Sequence, residues 1–329
     1  MKSFLYSLIL LIGFGSCSSQ DDSKFPKVKK LSDYKETIFV ATLENSFPEK
    51  KNAIYCVTLL YAWDEVRKLI REPLKIEKNL QDLTLLNNSK SFQGVLNPDE
   101  YKIDSKVEGD LIQAKAEFKK SLPFETKLTP MPNQLKFMEK NVIAFGAYGR
   151  DKQTTRNIQI LYYKDDDDFI IKISPKDKEH EIVLYKTPDK SQNMAEIVKI
   201  VENKAKLGEE EASLSEQYEW GDDDILVIPT IQFNIENNYN SLEKNSFSTT
   251  QNRQFILEKA WQRTAFILNE NGAEIESESE VVVKEELARE PKKPKKLIFD
   301  KPFFIMLKKK NSKNPYFGAW IANTELLSR

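Results

Sequence analysis

Apolar residues in this chain recur at two spacings, one typical of helices and one typical of strands. Helical spacing is clearest at 58–70, directly after the apolar run 53–57, and again at 194–205. The stretch 74–108 is mixed and polar, which predicts short helices and loops. Strand-like runs follow one another with few helices between them, at 142–149, 157–163, 169–173, 181–185, 225–228 and 231–235. This order predicts an α+β fold.

The last forty or so residues form the most regular pattern in the chain. Two apolar runs, 303–307 and 316–323, flank a turn rich in Asn, Ser and Pro at 311–315. This arrangement predicts a C-terminal hairpin. Upstream, a strand-like element at 255–268 is closed by the turn residues 269–274, and a charged stretch without periodicity then leads to the hairpin.

The N-terminus predicts export and a lipid anchor. After Met1-Lys2, an apolar run of about eleven residues is too short to span a bilayer, and the small residues Gly15 and Ser16 then precede Cys17. This pattern is typical of bacterial lipoproteins. It predicts a signal peptide at 1–16, a lipidated Cys17 with a flexible tether at 17–30, and a folded domain at 31–329. A plain secretory signal with an incidental Cys17 remains the alternative.

Export of this kind predicts the location of the protein. A lipid on Cys17 would hold the folded domain at a membrane. The expected site is the outer membrane, the cell surface or a periplasmic face of a bacterium. The tether residues Ser18 to Lys24 are polar, which suits a linker between lipid and domain.

Composition narrows the range of functions. Fifty basic residues against fifty-one acidic ones leave no net positive field, so we predict no nucleic-acid partner. Cys56 lies in an apolar run and is predicted to be a buried, inert thiol. The only histidine, His180, lies among charged residues in what is predicted to be a polar turn, and no serine is marked as its partner. We therefore predict no enzyme, no metal site and no cofactor.

Two acidic runs, 165–168 and 222–224, are the remaining candidates for a metal site. Both lack the Gly and the distal Glu of a calcium-binding EF-hand loop. The first run lies between two predicted strands and therefore suits a hairpin turn. We interpret both runs as acidic turns.

Six blocks of the chain, taken in order, resemble blocks of the serpin family. Ile228-Pro229 to Glu236 resembles the family's "LPKFKIE", and Lys259-Ala260 to Gly272 resembles its strand before the reactive loop. The blocks together cover most of residues 50 to 323 and lie at 52–63, 114–129, 137–173, 228–242, 259–272 and 299–323. The resemblance implies a divergent, shortened bacterial member with a serpin-like α+β fold. It would have large mixed and antiparallel sheets, N-terminal helices and an exposed loop before the C-terminal hairpin.

The same resemblance implies roles for the residues between the last long strand and the hairpin. The hinge of the loop would be formed by Glu270, Gly272, Ala273 and Glu274. The reactive loop would span about 273–296 in this chain, with cleavage candidates Lys284, Glu286, Leu287 and Arg289. Counting from Glu270 places the scissile bond at Glu286–Leu287, whereas Arg289 offers a trypsin-like cleavage point. Both positions stay open, as does a charged linker without such a role.

The hinge sequence departs from the family pattern, which has small residues after the glycine. Here the alternate positions 274, 276, 278 and 280 are all Glu, with Ala, Ile, Ser and Ser between them. One register would place these carboxylates on an exposed face, and the other would bury them at a cost of several kcal/mol each.

Two functions are therefore predicted. In the first, a monomer presents the loop to a target protease as a serine-type protease inhibitor. In the alternative, a non-inhibitory surface or periplasmic lipoprotein binds a protein or another ligand on the same scaffold. An unrelated α+β lipoprotein is the third interpretation.

Overall fold

The computed structural model of this protein describes residues 25–108, 111–131, 135–212, 215–272 and 294–329. These residues form an α+β fold with several sheets and few helices, which confirms the predicted fold class. The strands, in chain order, are β1 (Lys29–Lys30), β2 (Thr37–Phe39), β3 (Asn52–Cys56), β4 (Leu74–Lys75), β5 (Tyr101–Glu108), β6 (Leu111–Phe118), β7 (Thr129–Pro130), β8 (Leu135–Phe137), β9 (Lys140–Val142), β10 (Ala144–Tyr148), β11 (Ile158–Asp165), β12 (Asp168–Ile173), β13 (His180–Lys186), β14 (Ile225–Pro229), β15 (Ile231–Asn238), β16 (Ser246–Thr249), β17 (Gln254–Ile256), β18 (Trp261–Leu268), β19 (Lys296–Ile298), β20 (Phe303–Lys309) and β21 (Phe317–Ile321).

Four α-helices accompany these strands in the described ranges: α1 (Thr58–Ile70), α2 (Gln81–Asn88), α3 (Lys152–Thr155) and α4 (Met194–Ala212). The two helices predicted from periodicity, α1 and α4, are confirmed. Helix α1 ends at Arg71, whose left-handed φ of 60° stops the helical turn. No helix in these ranges is both long enough and apolar enough to cross a membrane.

A seven-stranded sheet forms the centre of the molecule. Its order is β11-β12-β13-β20-β21-β3-β2, with β2 parallel to β3 and every other neighbouring pair antiparallel. The predicted C-terminal hairpin, β20–β21, lies in the middle of this sheet. Its apolar residues Phe303, Phe304 and Ile305 are fully buried. Central position and burial on both faces account for the continuous apolar run in this segment.

A second sheet has the order β19-β14-β10-β7. Its edge strand β19 pairs in parallel with β14, so that Leu297 lies opposite Leu226. Phe299, which follows β19, is fully buried and contacts the rings of Phe169 and Phe303 at 5.0 Å between centroids. The segment after residue 293 therefore connects directly to the central sheet.

The smaller sheets include the strands β6 and β18. Strand β18 pairs antiparallel with β15, which also pairs with β1, and β5 pairs antiparallel with β6 over their whole length. Two sequence predictions were wrong here. The stretch 74–108 contains α2, as expected, but also the eight-residue strand β5. The predicted long element at 255–268 is divided into β17 and β18.

Candidate functional site

The strands β6 and β18 lead toward the same point, the last described residues before 273. Pro123, shortly after β6, forms an isolated antiparallel bridge with Gly272, shortly after β18. The N–H of Phe124 donates to the carbonyl oxygen of Asn271 at 3.1 Å, and the N–H of Leu128 donates to that of Glu270 at 2.8 Å. These bonds fix the start of the 273–293 segment against the chain that leaves β6.

Gly272 occupies a position that only glycine fits. Its φ is +85°, in the left-handed region that residues with a side chain rarely adopt. A Cβ atom there would lie 2.3 Å from the nitrogen of Phe124 and 2.8 Å from the carbonyl oxygen of Leu122. The close approach of two backbones therefore requires a residue without a side chain.

Glu270 contributes to the same junction through its side chain as well as its carbonyl group. Its Oε1 accepts a hydrogen bond from Nδ2 of Asn271 at 3.1 Å and lies 3.8 Å from Nζ of Lys127. Glu270 and Gly272, both predicted hinge residues, thus lie together. The other predicted site residues lie outside the described ranges and remain predictions: Ala273, Glu274, Lys284, Glu286, Leu287, Arg289 and Cys17.

Both strands also pack against one helix, α1. On β6 the half-buried positions alternate with exposed ones, and on β18 Thr264, Phe266 and Leu268 point to the buried side. Strand β6 is paired only with β5 and β18 only with β15, so each keeps one edge without a ladder partner in the described residues. Two strand edges with unpaired backbone groups thus lie on a common helix.

Gln262 connects β18 to the start of α1 through hydrogen bonds. It is buried, and its Nε2 donates to the carbonyl oxygen of Cys56 at 3.0 Å and to Oγ1 of Thr58 at 2.7 Å. Its Oε1 accepts a hydrogen bond from the hydroxyl of Tyr239 at 2.6 Å. Cys56 itself is buried, and burial raises the pKa of its thiol, which agrees with the predicted inert cysteine.

The far end of the 273–293 segment is anchored by Asp224. Its Oδ1 accepts the backbone N–H of Lys295 at 2.7 Å, and its Oδ2 lies 2.7 Å from Nζ of the same lysine. That Nζ also donates to the carbonyl oxygen of Glu219 at 2.8 Å. One residue further on, the N–H of Lys296 donates to Oδ1 of Asp166 at 2.9 Å. Because Asp224 is 3% exposed, this is a buried ion pair rather than a surface one.

Replacing Asp224 by Asn should destabilise the protein by about 2 kcal/mol, because the buried Lys295 ammonium would lose its countercharge. The matched control is Asp222→Asn in the same run, where the carboxylate is 62% exposed and pairs with Lys152 at the surface. That change should cost about 0–0.5 kcal/mol. Urea unfolding of both variants provides the measurement, and equal costs would show that Asp224 is no special anchor.

The two acidic runs are turns, as predicted, and lysines pair with four of their carboxylates: Asp167, Asp168, Asp222 and Asp224. Asp168 lies 2.7 Å from Nζ of Lys204, and Asp167 lies 2.9 Å from Nζ of Lys186, which also reaches Asp300. The Lys186 and Lys301 ammonium groups lower the pKa of Asp167. Among the described residues, no group of three or more His, Cys, Asp or Glu side chains is placed to hold a metal ion.

The prediction for His180 was wrong. This residue begins β13, and its side chain is buried rather than lying in a polar turn. Its neighbours in sequence, Lys178 and Glu179, are charged, so the pattern of the segment predicted a polar turn.

The anchor at Asp224 was also missed, because an acidic run gives no sign of which carboxylate is buried.

No family model matches the sequence, and no curated protein matches it. The solved structures similar to this chain include serpins. They include thyroxine-binding globulin in complex with thyroxine (13% identity, TM-score 0.37), human glycosylated kallistatin (13%, 0.36) and the thermophilic serpin tengpin in its native state (11%, 0.38).

These likenesses extend over part of each molecule. They cover 66%, 67% and 74% of this chain but only 58%, 58% and 62% of the three solved chains, in the same order. This chain therefore spans about three-fifths of the serpins that it matches.

Proposed function

We propose that this protein is a lipid-anchored protease inhibitor and not an enzyme, and that its 273–293 segment is cleaved by the target protease. After cleavage, the part attached to Gly272 enters between β6 and β18 as a new strand. The observation that carries the proposal is the pair of strand edges on α1 that have no ladder partner among the described residues. The two strands converge at Gly272, directly before this segment.

The geometry at Gly272 sets the direction of the new strand. Strands β6 and β18 both lead toward Gly272, so a chain that turns back there runs antiparallel to each. An antiparallel strand between two free edges would pair its N–H and C=O groups on both sides. This pairing supplies the free energy that drives the insertion.

The acidic hinge sequence has a favourable register in this site. On β6, Ile112, Ala114 and Ala116 face the helix, whereas Lys115 is exposed. A new strand that turns Ala273, Ile275 and the two serines inward would turn its glutamates outward, beside exposed cations such as Lys115 and Arg263. Opposite charges on neighbouring strands are stabilising. The alternating sequence is thus compatible with a half-buried strand.

The chemistry of inhibition would be carried out by the protease. Its catalytic serine Oγ attacks the scissile carbonyl carbon, the peptide C–N bond breaks, and the new amino terminus leaves with the transferred proton. An acyl ester then joins the protease to the new carboxyl end of the loop. Insertion carries that end away from the junction at Gly272, and distortion of the bound protease would prevent hydrolysis of the ester.

The lipid anchor defines where inhibition would occur. Cys17, preceded by Gly15 and Ser16, suits lipidation after removal of residues 1–16. The described residues begin at Phe25, within the predicted tether at 17–30. A monomer held in this way would act on proteases at the outer membrane, the cell surface or a periplasmic face.

A denaturant-resistant complex tests this proposal directly. The chain is incubated with trypsin and, separately, with a protease that cleaves after Glu, and each mixture is analysed on an SDS gel. The expected result is a band that contains protease and inhibitor, absent when the catalytic serine of the protease is replaced by Ala. Arg289→Gln should abolish the trypsin complex if Arg289 is the scissile residue. Cleavage by both proteases without any such band would contradict inhibition.

The second candidate is a non-inhibitory binding protein on the same scaffold. The observation that favours it is the Glu at positions 274, 276, 278 and 280, where inhibitory serpins carry small residues. In this case the loop is cleaved without a complex and without a gain in thermal stability. The gel therefore separates the two functions.

A further inference from the structure

A buried cluster at the base of the β5–β6 hairpin surrounds the only histidine of the chain. The side chain of His180 is 1% exposed. Its Nε2 lies 3.1 Å from Oε1 of Glu100, and its Nδ1 lies 3.1 Å from the hydroxyl of Tyr316. The rings of His180 and Tyr316 meet edge to face at 5.5 Å between centroids. Every polar atom of the imidazole thus has a partner within the protein.

This cluster joins the hairpin to the central sheet. Glu100 immediately precedes β5, and its carboxylate lies 3.0 Å from Nζ of Lys309 at the end of β20. Lys120, two residues after β6, lies 3.3 Å from Glu100 and 2.9 Å from Asp177. We call the set Glu100, Lys120, Asp177, His180, Lys309 and Tyr316 the hairpin clamp. Both ends of the hairpin are held by charged contacts to the segment before β13, to β13 and to β20.

The contacts of His180 can be satisfied by a neutral imidazole. In that form Nε2–H donates to Glu100 and Nδ1 accepts the Tyr316 hydroxyl. Burial lowers the pKa of His180, and the charge of Lys120 lowers it further, against the opposing effects of Asp177 and Glu100. Without a proton on the imidazole, the cations Lys120 and Lys309 balance the anions Glu100 and Asp177. A protonated His180 would add an unbalanced positive charge to a buried site.

Glu100 does not titrate in the same range. Burial alone would raise its pKa, but the Asn97 amide and the Lys309 and Lys120 ammonium groups outweigh this effect and lower the pKa to about 2. The stability that Glu100 contributes is therefore present above its ordinary pKa near 4.5 and is lost only in strong acid. His180 is the group in the clamp whose ordinary pKa, 6.5, lies between pH 5 and pH 7.5.

We propose that the hairpin clamp is a pH-sensitive device that holds the β5–β6 hairpin on the central sheet at neutral pH and releases it in mild acid. Because β6 forms one wall of the proposed insertion site, release would make strand insertion easier. That consequence rests on the proposed function. The clamp itself depends only on the contacts given above.

The sign of the effect follows from linkage. The folded pKa of His180 lies below its unfolded value, so the unfolded or released state binds the proton more tightly. The stability of the clamped state is complete above pH 6.5 and is lost as the pH falls from 6.5 toward the folded pKa. For one proton, the equilibrium for release can change by at most about tenfold per pH unit.

Two measurements on the uncut full chain test the device. Because the chain has one histidine, ¹³C labelling of histidine gives the titration of His180 alone in an NMR spectrum. Hydrogen exchange of the β5–β6 amides, corrected for intrinsic rates, is followed from pH 7.5 to pH 5 in parallel, with α4 as an internal reference. We expect a midpoint below pH 6.5 and a several-fold rise in hairpin exchange toward pH 5 that α4 does not share.

The control variant is His180→Gln, which keeps polar groups in the site but cannot take up a proton near neutral pH. Its hairpin exchange should be independent of pH over the same range. If this variant does not fold, the wild-type chain decides: hairpin exchange should rise as the pH falls from 6.5 toward the NMR midpoint. A midpoint at or above 6.5, a flat exchange profile in the wild type, or the same profile in His180→Gln would overturn the proposal. These readouts need no protease, so failure of inhibition and failure of the clamp are distinguishable.

Discussion

Replacing Gly272 by Ala is expected to lower the free energy of unfolding by about 3 kcal/mol. The left-handed backbone at φ +85° accounts for roughly 1–2 kcal/mol of this loss. The rest arises because the new Cβ would lie 2.3 Å from the Phe124 nitrogen, so the two backbones must separate. For a domain of this size, the melting temperature should fall by roughly 6–10 °C.

Gly94→Ala is the matched control for this prediction. Gly94 also has a positive φ, of +67°, but a Cβ there would meet no heavy atom within 4 Å. It should therefore show the backbone cost alone, about 1 kcal/mol. The measurement is urea unfolding of both variants. Equal losses in the two variants would mean that the contact between Gly272 and the Leu122–Phe124 backbone is not close in solution.

The elements that sequence patterns predicted correctly are those in which buried residues recur at regular spacing along the sequence. In β20, the run Phe303-Phe304-Ile305-Met306 is continuous because a central strand is covered on both faces. In α1 and α4, one buried stripe repeats at helical spacing. Such long, regular elements can be predicted from their own sequence, without knowledge of the elements that pack against them.

The strand that was missed, β5, shows why the rest was harder. Its outward residues include Lys102, Asp104 and Lys106, and only Tyr101 and Ile103 contact the core. Most of its partners are on β6, which faces solvent on one side, so its alternation is weak. Such a strand is defined by pairing between segments, and pairing is not visible in one segment alone.

Within the site, sequence reasoning singled out two residues of the junction but not the contacts that hold it. Glu270 and Gly272 were predicted through family resemblance, and they lie together at the junction with Phe124. Asp224 and His180 were not recognised, because their importance comes from burial among residues distant in sequence. Lys295 and Asp224, for example, are 71 positions apart.

Cleavage within 273–293 should have the largest effect of any change considered. A new strand of about ten residues between β6 and β18 would form about twenty additional hydrogen bonds, each contributing about 0.5 kcal/mol. At about 2 °C per kcal/mol, the melting temperature should rise by roughly 20 °C. A cut in an ordinary surface loop would have the opposite sign, because a broken chain gains entropy on unfolding.

The most direct test of the central claim is the melting temperature of the protein before and after limited trypsin cleavage, with the cut mapped by mass spectrometry. A chain cut at Lys284 or Arg289 with both fragments retained should melt roughly 20 °C higher than the intact chain. Such a rise would mean that the cleaved segment joins a sheet. If the cut chain melts at or below the temperature of the intact chain, the segment does not insert, and inhibition by strand insertion is contradicted.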